Sequence, residues 1–292
     1  MLKRYCILLT LAIILFTHVP AFSSAGGKDS VFLEGSLLYN LELFEVYCPY
    51  ELLACDDCLY LFDSDRSCYQ LDKRSREITA VFTLSEYLKT PVKIDEEKVY
   101  ALIMEPPVVL HYTLKSGQSH QTCLPKECAY KGFALYSRDL FLIADDSEYV
   151  YRLINKEGEV VRNGYLRTEL SDDTVSCIEY DAANDLLVIV SPRYIDMIET
   201  DTALLKTRLP LEHCLDVSIC ENNIYALCPG SPENSKDQSN HSCIYVFDLE
   251  GNALKTYILD TTIRRFCITE EEGVLYGLTL EKELPIVKFE LD

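Results

Sequence analysis

A short apolar segment recurs six times along the chain, and its regular spacing restricts the possible folds more than any other feature. Each copy contains Leu-Tyr or an equivalent apolar pair, as in Leu59-Tyr60 and Leu275-Tyr276, and successive copies lie roughly 40 to 50 residues apart. A polar tight turn precedes each copy, and a strand of alternating apolar and polar residues follows it. The repeating unit is therefore predicted to be four antiparallel strands, a to d, with the recurring segment as strand b. The copies are residues 59–62, 99–102, 140–143, 186–189, 224–227 and 275–278.

Six such units predict an all-β fold, a six-bladed β-propeller with four-stranded blades. The last unit ends after its third strand, and residues 31–39 form an apolar segment that belongs to no other unit. We expect this N-terminal strand to pair with residues 286–291 and close the ring, because closure removes the open edge of the last blade. Two packed sheets or two smaller β domains are disfavoured, since no linker rich in Pro, Gly or Ser divides the chain. The predicted blades span about residues 45–82, 91–124, 133–166, 174–209, 215–259 and 264–292, with 31–39 as the closing strand.

The first 25 residues have the features of a secretory signal peptide. Lys3 and Arg4 precede an apolar stretch over residues 6–16, and small residues at 23–25 provide a cleavage site before Gly26. The apolar stretch is too short to span a bilayer comfortably. We therefore expect an exported protein, periplasmic, at the cell surface or secreted, in which residues 26–292 form one propeller. No stable membrane insertion is expected after cleavage.

The charge balance narrows the possible partners. The chain has 27 Lys and Arg residues against 47 Asp and Glu residues, a formal net charge of -20 at pH 7. Binding of nucleic acid is not expected, because it requires a basic face and the basic residues do not cluster. An acidic surface accepts cationic ligands more readily. Alternatively, the charge only keeps an exported protein soluble.

The order Leu-Tyr, then Tyr-Val-Phe-Asp, then Gly resembles the blades of exported bacterial six-bladed propellers of the TolB-like type, with NHL-type blades as relatives. Leu-Tyr is seen at Leu59-Tyr60 in the first repeat, and the other two parts are seen in the fifth repeat at residues 245–248 and at Gly251. The chain has no tryptophan, so the Trp-Asp signature of WD repeats is absent. The resemblance extends over almost the whole mature chain. It implies the propeller fold but no single function, because this fold hosts enzymes and binding modules alike.

Cysteine is abundant, with 13 residues in all, which in an exported protein suggests disulfides. Cys228 and Cys243 bracket a polar insertion and are predicted to face each other on strands b and c of blade five, where they form a disulfide or two buried thiols. Cys55 and Cys58 have the spacing of a redox motif. They flank a hairpin turn, however, and the acidic residues between them raise thiol pKa values, which favours a structural role.

One face of the predicted propeller carries the b–c loops and the d–a connections, and ligands are expected to approach the channel from this side. None of its acidic segments matches a spaced calcium-binding loop. Ordinary solvated charge is the alternative explanation for these residues. The candidate binding residues on this loop face are Asp63, Asp65, Asp145, Asp146, Arg193 and His213.

The leading hypothesis is an exported, monomeric, non-catalytic module without a cofactor, which binds a protein, peptide or glycan through its acidic loop face. The mature chain offers no two histidines at a metal-ligand spacing and no Ser-His-Asp order, so catalysis is less favoured. The alternative is a lactonase-like propeller hydrolase that uses channel carboxylates with a divalent cation such as calcium. Its candidate residues are Asp95, Glu179 and Asp216. A third hypothesis is a surface scaffold without a small ligand.

Overall fold

Every described strand in the computed structural model of this chain belongs to one of six sheets. The structure describes residues 30–39, 41, 46, 48–55, 57–64, 67–83, 91–95, 97–126, 130–137, 140–145, 150–165, 175–230, 241–269, 273–279 and 286–291. The predicted signal peptide lies outside these residues. Within them, no helix is long and apolar enough to cross a membrane.

The strands follow the predicted order of repeats. Two short strands come first, β1 (Ser30–Leu33) and β2 (Ser36–Tyr39). Blade one contains β3 (Pro49–Cys55), β4 (Cys58–Asp63), β5 (Ser67–Asp72) and β6 (Ile78–Thr83). Blade two contains β7 (Val92–Asp95), β8 (Lys98–Met104), β9 (Pro107–Thr113) and β10 (Ser119–Cys123). Blade three contains β11 (Tyr130–Ser137), β12 (Leu140–Asp145), β13 (Val150–Asn155) and β14 (Val160–Tyr165).

The second half of the chain repeats this arrangement. Blade four contains β15 (Cys177–Asp181), β16 (Leu186–Val190), β17 (Tyr194–Glu199) and β18 (Leu204–Pro210). Blade five contains β19 (Asp216–Cys220), β20 (Asn223–Pro229), β21 (Ser242–Asp248) and β22 (Ala253–Leu259). Blade six contains β23 (Ile263–Thr269), β24 (Val274–Thr279) and β25 (Ile286–Glu290), with β2 as its outermost strand. The prediction of six blades with four antiparallel strands is confirmed.

The first strand of each blade lies nearest the axis. These inner strands contact one another in the cyclic order β3, β7, β11, β15, β19 and β23, and β23 contacts β3 again. The second strands explain the recurring apolar segment, because they are covered by neighbouring blades on both faces. In β16, for example, all residues from Leu186 to Val190 are buried. The apolar repeat therefore forms the layers of core between adjacent blades.

The N-terminal segment departs from the prediction that residues 31–39 form one strand beside residues 286–291. Only β2 pairs with β25, in antiparallel register with Ser36 opposite Lys288. β1 instead pairs in parallel with β22 of blade five, which gives that sheet five strands. Asp260 stabilises the junction of the two strands, because its backbone N–H donates to the Leu33 carbonyl and its carboxylate accepts from the Gly35 N–H. The segment thus joins blades five and six.

Gly35 links these two strands where blade six leaves no space for a side chain. A Cβ atom at this position would lie 2.3 Å from Val287 Cγ1 and 2.9 Å from Phe289 Cε1. We expect Gly35→Ala to lower the free energy of unfolding by about 2 kcal/mol through overpacking. We expect Val287→Ala to lower it by a similar amount because it leaves a cavity.

The double variant tests this placement, since the methyl group added at Gly35 would fill the space vacated at Val287. Chemical denaturation should be measured for the wild type, the two single variants and the double variant. The double variant should lose at least about 1 kcal/mol less free energy of unfolding than the sum of the losses in the two single variants. Simple additivity would show that the two residues do not touch.

Candidate functional site

The central channel holds a cavity of about 330 Å³ that is lined by the inner strands of all six blades. This volume falls at the lower end of the range for sites that bind small ligands. Among the described residues, each blade places one charged side chain in the lining, so that three acids and three bases surround the cavity. In blade order they are Glu51, Lys93, Lys131, Glu179, Asp216 and Arg265.

Arg265 lies between two of the carboxylates but is closely paired with neither. Its Nε is 3.7 Å from Glu51 Oε2, and its Nη1 is 3.9 Å from Asp216 Oδ1. Both distances exceed hydrogen-bonding distance. The hydrogen bond that Arg265 does make in this region is from Nη1 to the Leu215 carbonyl, at 3.0 Å. The three side chains, called the Arg265 cluster below, therefore retain hydrogen-bonding capacity toward the cavity.

A second arginine shows what a closely paired contact looks like in the same protein. On the outer strands of blade four, Arg208 Nε and Nη2 donate to the two carboxylate oxygens of Asp196 at 2.7 and 2.8 Å. This is the two-pronged geometry that guanidinium and carboxylate groups prefer. The Arg265 cluster lacks it although opposite charges are adjacent, which leaves space for a ligand group or water between them.

The electrostatics of the Arg265 cluster follow from burial and from the closeness of like charges. Burial and the Asp216 charge raise the pKa of Glu51 while Arg265 lowers it, and the net result is a pKa of about 7. Burial also raises the pKa of Asp216, which Arg265 and Lys93 lower in part. Each acid is thus costly to ionise. An additional cation in the cavity would relieve this cost.

Lys93 and Glu179 form the closely paired contact of the channel. The Lys93 ammonium donates directly to Glu179 Oε1, and the two side chains are 19% and 28% exposed. Burial lowers the pKa of Lys93, but the Glu179 carboxylate more than offsets this effect and holds that pKa above its usual value. Lys93 of blade two and Glu179 of blade four thus neutralise each other in an ion pair.

The alternative enzymatic site is brought together in part. Glu179 and Asp216 line the cavity, whereas Asp95, at the end of β7, does not. Within the described parts of the chain, no group of three or more His, Cys, Asp and Glu side chains could hold a metal ion. Cys177 and Cys267 also line the cavity, and burial raises the pKa of both thiols. A protonated thiol is a poor nucleophile and a poor metal ligand.

Three of the predicted loop-face residues, Asp63, Arg193 and His213, have side chains that the structure describes. Asp63 is 1% exposed, and its carboxylate accepts hydrogen bonds from the Cys48 N–H and the Ser64 hydroxyl, so it stabilises its own loop. Arg193 and His213 are exposed on neighbouring segments of blade four, where the His213 N–H donates to the carbonyl just before Arg193. Asp65, Asp146 and the side chain of Asp145 lie outside what the structure describes.

Four channel residues were missed by sequence reasoning: Glu51, Lys93, Lys131 and Arg265. A partial signal existed, since in four of the six inner strands the channel charge lies between two apolar residues, as in Val92-Lys93-Ile94. Applied to the start of every blade, this pattern would have identified Glu51 and Lys93, but not Lys131 or Arg265. Only the channel acids of blades four and five were predicted, because the enzymatic hypothesis considered carboxylates alone.

Residues 213–271 match the profile of a family described as TolB-like 6-blade propeller-like. The predicted resemblance to TolB-like six-bladed propellers is therefore confirmed, and the matched residues comprise blade five with the start of blade six. No curated protein sequence matches the chain.

Solved structures share the fold at low sequence identity. The Pan2 WD40 domain of Neurospora crassa aligns with a TM-score of 0.58 and 10% identity, covering 89% of this chain and 95% of that one. U3-55K aligns with a TM-score of 0.58 and 10% identity, covering 88% and 98%. The computationally designed Ika8 protein aligns with a TM-score of 0.51 and 10% identity, covering 83% and 71%. At this identity the likeness concerns the propeller fold alone.

Proposed function

We propose that this protein is an exported binding module that receives a positively charged group of its ligand, an amine or a guanidinium, in the central channel. The Arg265 cluster carries the proposal. Glu51 and Asp216 lie 3.7 and 3.9 Å from the single cation between them, and all three face a cavity of about 330 Å³. The ligand is a basic side chain of a protein or peptide partner, or a small cationic molecule.

The negative net charge of the protein supports the binding of a cationic ligand. A net charge of -20 attracts cationic ligands over long distances and repels polyanions. A glycan partner is less favoured, because an uncharged sugar gains little from two buried carboxylates. No divalent cation is part of the proposed site, because the ligand's own cationic group would interact with the two carboxylates.

Agmatine, which carries a guanidinium and an amine but no carboxylate, is a suitable probe. We expect calorimetry at pH 8 to show binding that EDTA leaves unchanged and that weakens about tenfold in Glu51→Gln or Asp216→Asn. Affinity should rise between pH 6 and pH 8, because Glu51, whose pKa is about 7, becomes ionised over that range.

Glu157→Gln is the matched control. It removes the same charge from an exposed turn in blade three and should leave agmatine binding unchanged. Equal weakening by Glu157→Gln would indicate general attraction to an acidic surface, and an absence of binding would contradict the proposed channel site.

A further inference from the structure

Lys131 differs from the other charged residues of the channel. It lines the cavity and is exposed, and among the described residues it has no hydrogen-bond or ion-pair partner. The other five channel charges each have an opposite charge within 4.0 Å, either in the pair of Lys93 with Glu179 or in the Arg265 cluster. Lys131 is thus the channel cation whose charge nothing described in the chain balances.

The backbone places Lys131 at the cavity by a specific irregularity. In the pairing of β11 with β12, Tyr130 is opposite Asp145 and Gly132 is opposite Ala144, so Lys131 is the extra residue of a β-bulge. Bulges redirect side chains and are frequent beside functional sites. The neighbouring Gly132 lets blade three approach blade four, since a Cβ atom there would lie 2.9 Å from Ile178 Cγ2.

The position of Lys131 in the ring separates it from the Arg265 cluster. The acids of that cluster come from blades one and five on either side of blade six, and Lys131 comes from blade three, the third blade from blade six in either direction. The cavity therefore has an acid-rich side with unused acceptors and an opposite side with an unpaired cation. A ligand that matches both sides carries a positive group and a negative group.

We infer that the channel ligand is zwitterionic, with its cationic group held by Glu51 and Asp216 and its carboxylate held by Lys131. A basic amino acid, or the C-terminal basic residue of a peptide, has this chemistry. The inference rests on the proposed function and adds the anionic half of the ligand. Lys131 is a specificity-determining residue in this account, because it distinguishes ligands that share the same cationic group.

L-Arginine and agmatine form a matched pair of probes, since agmatine is arginine without its carboxylate. We expect the wild-type protein to bind L-arginine about five- to tenfold more tightly than agmatine, the effect of one charge-assisted contact in a partly enclosed site. Lys131→Ala should reduce this ratio to about one while leaving agmatine affinity within about twofold of wild type. Lys131→Arg should preserve a preference for L-arginine.

Lys126→Ala provides the control, because it removes an exposed lysine from the connection that leads into β11 without altering the cavity lining. The ratio of L-arginine affinity to agmatine affinity in Lys126→Ala should equal that of wild type. A ratio near one in the wild type, or a ratio that Lys131→Ala leaves unchanged, would overturn the inference while agmatine binding still supports the proposed function. If neither probe binds, the proposed function fails and the inference fails with it.

Discussion

Replacing Glu51 with glutamine should make the protein more stable at pH 8 than the wild type, and the difference should disappear near pH 4. The folded protein holds the Glu51 proton with a pKa of about 7, whereas the unfolded chain releases it near the ordinary value of 4.5. The folded state therefore binds more protons between these two values, so the Glu51 contribution to stability falls as pH rises through that window. Above pH 7 the accumulated loss is constant, at up to about 3 kcal/mol.

Chemical denaturation from pH 4 to pH 9 measures this difference directly. Glu157→Gln again removes one exposed carboxyl group and should differ from wild type by only a few tenths of a kcal/mol throughout. A Glu51→Gln curve that runs parallel to the wild-type curve across the whole range would show that Glu51 is not buried beside Asp216. Such a result would also remove the basis for binding that strengthens with pH.

An oxidised preparation should contain a disulfide between Cys228 and Cys243. The structure carries both residues as buried thiols and places them directly opposite each other on β20 and β21, so their side chains lie on the same face of the sheet. The bridge would close a loop of about 15 residues and stabilise the folded state by about 3 kcal/mol. Non-reducing peptide mapping identifies the pair, and unfolding with and without reductant measures its effect.

Cys214 is the competitor for Cys228. It is buried in the same core between blades four and five, and a hydrogen bond with the Cys228 thiol, together with burial, raises its pKa well above the ordinary value. The disulfide contributes the difference in free energy of unfolding between oxidised and reduced protein. We expect Cys243→Ala to abolish this difference and Cys214→Ala to retain it. The opposite pattern would assign the bridge to Cys214 and Cys228.

The propeller could be predicted because the pattern that produces it, an apolar second strand in each blade, is local in sequence and recurs six times. Each second strand is covered on both faces, so it must be apolar throughout, and the segments around Leu59, Leu187 and Leu275 show this in the sequence alone. The division of the N-terminal segment into two strands could not be predicted in this way. It depends on Asp260, more than 200 residues away, and on the space left by Val287 and Phe289 beside Gly35.

The channel was predicted only in part for a similar reason. Glu179 and Asp216 could be proposed because acids on inner strands are conspicuous. Which further residues reach the axis depends on strand register, and bulges near the starts of β3 and β11 shift that register by one residue. A shift of one residue exchanges the two faces of a strand. Lys131 therefore could not be assigned to the channel from alternation alone.

A crystal structure determined with agmatine tests the central claim, the use of the channel as a site for cationic groups. The account predicts a guanidinium or ammonium group about 3 Å from the carboxylates of both Glu51 and Asp216, inside the ring of inner strands. Agmatine bound on the outer loops, with the channel free of it at saturating concentration, would contradict the account.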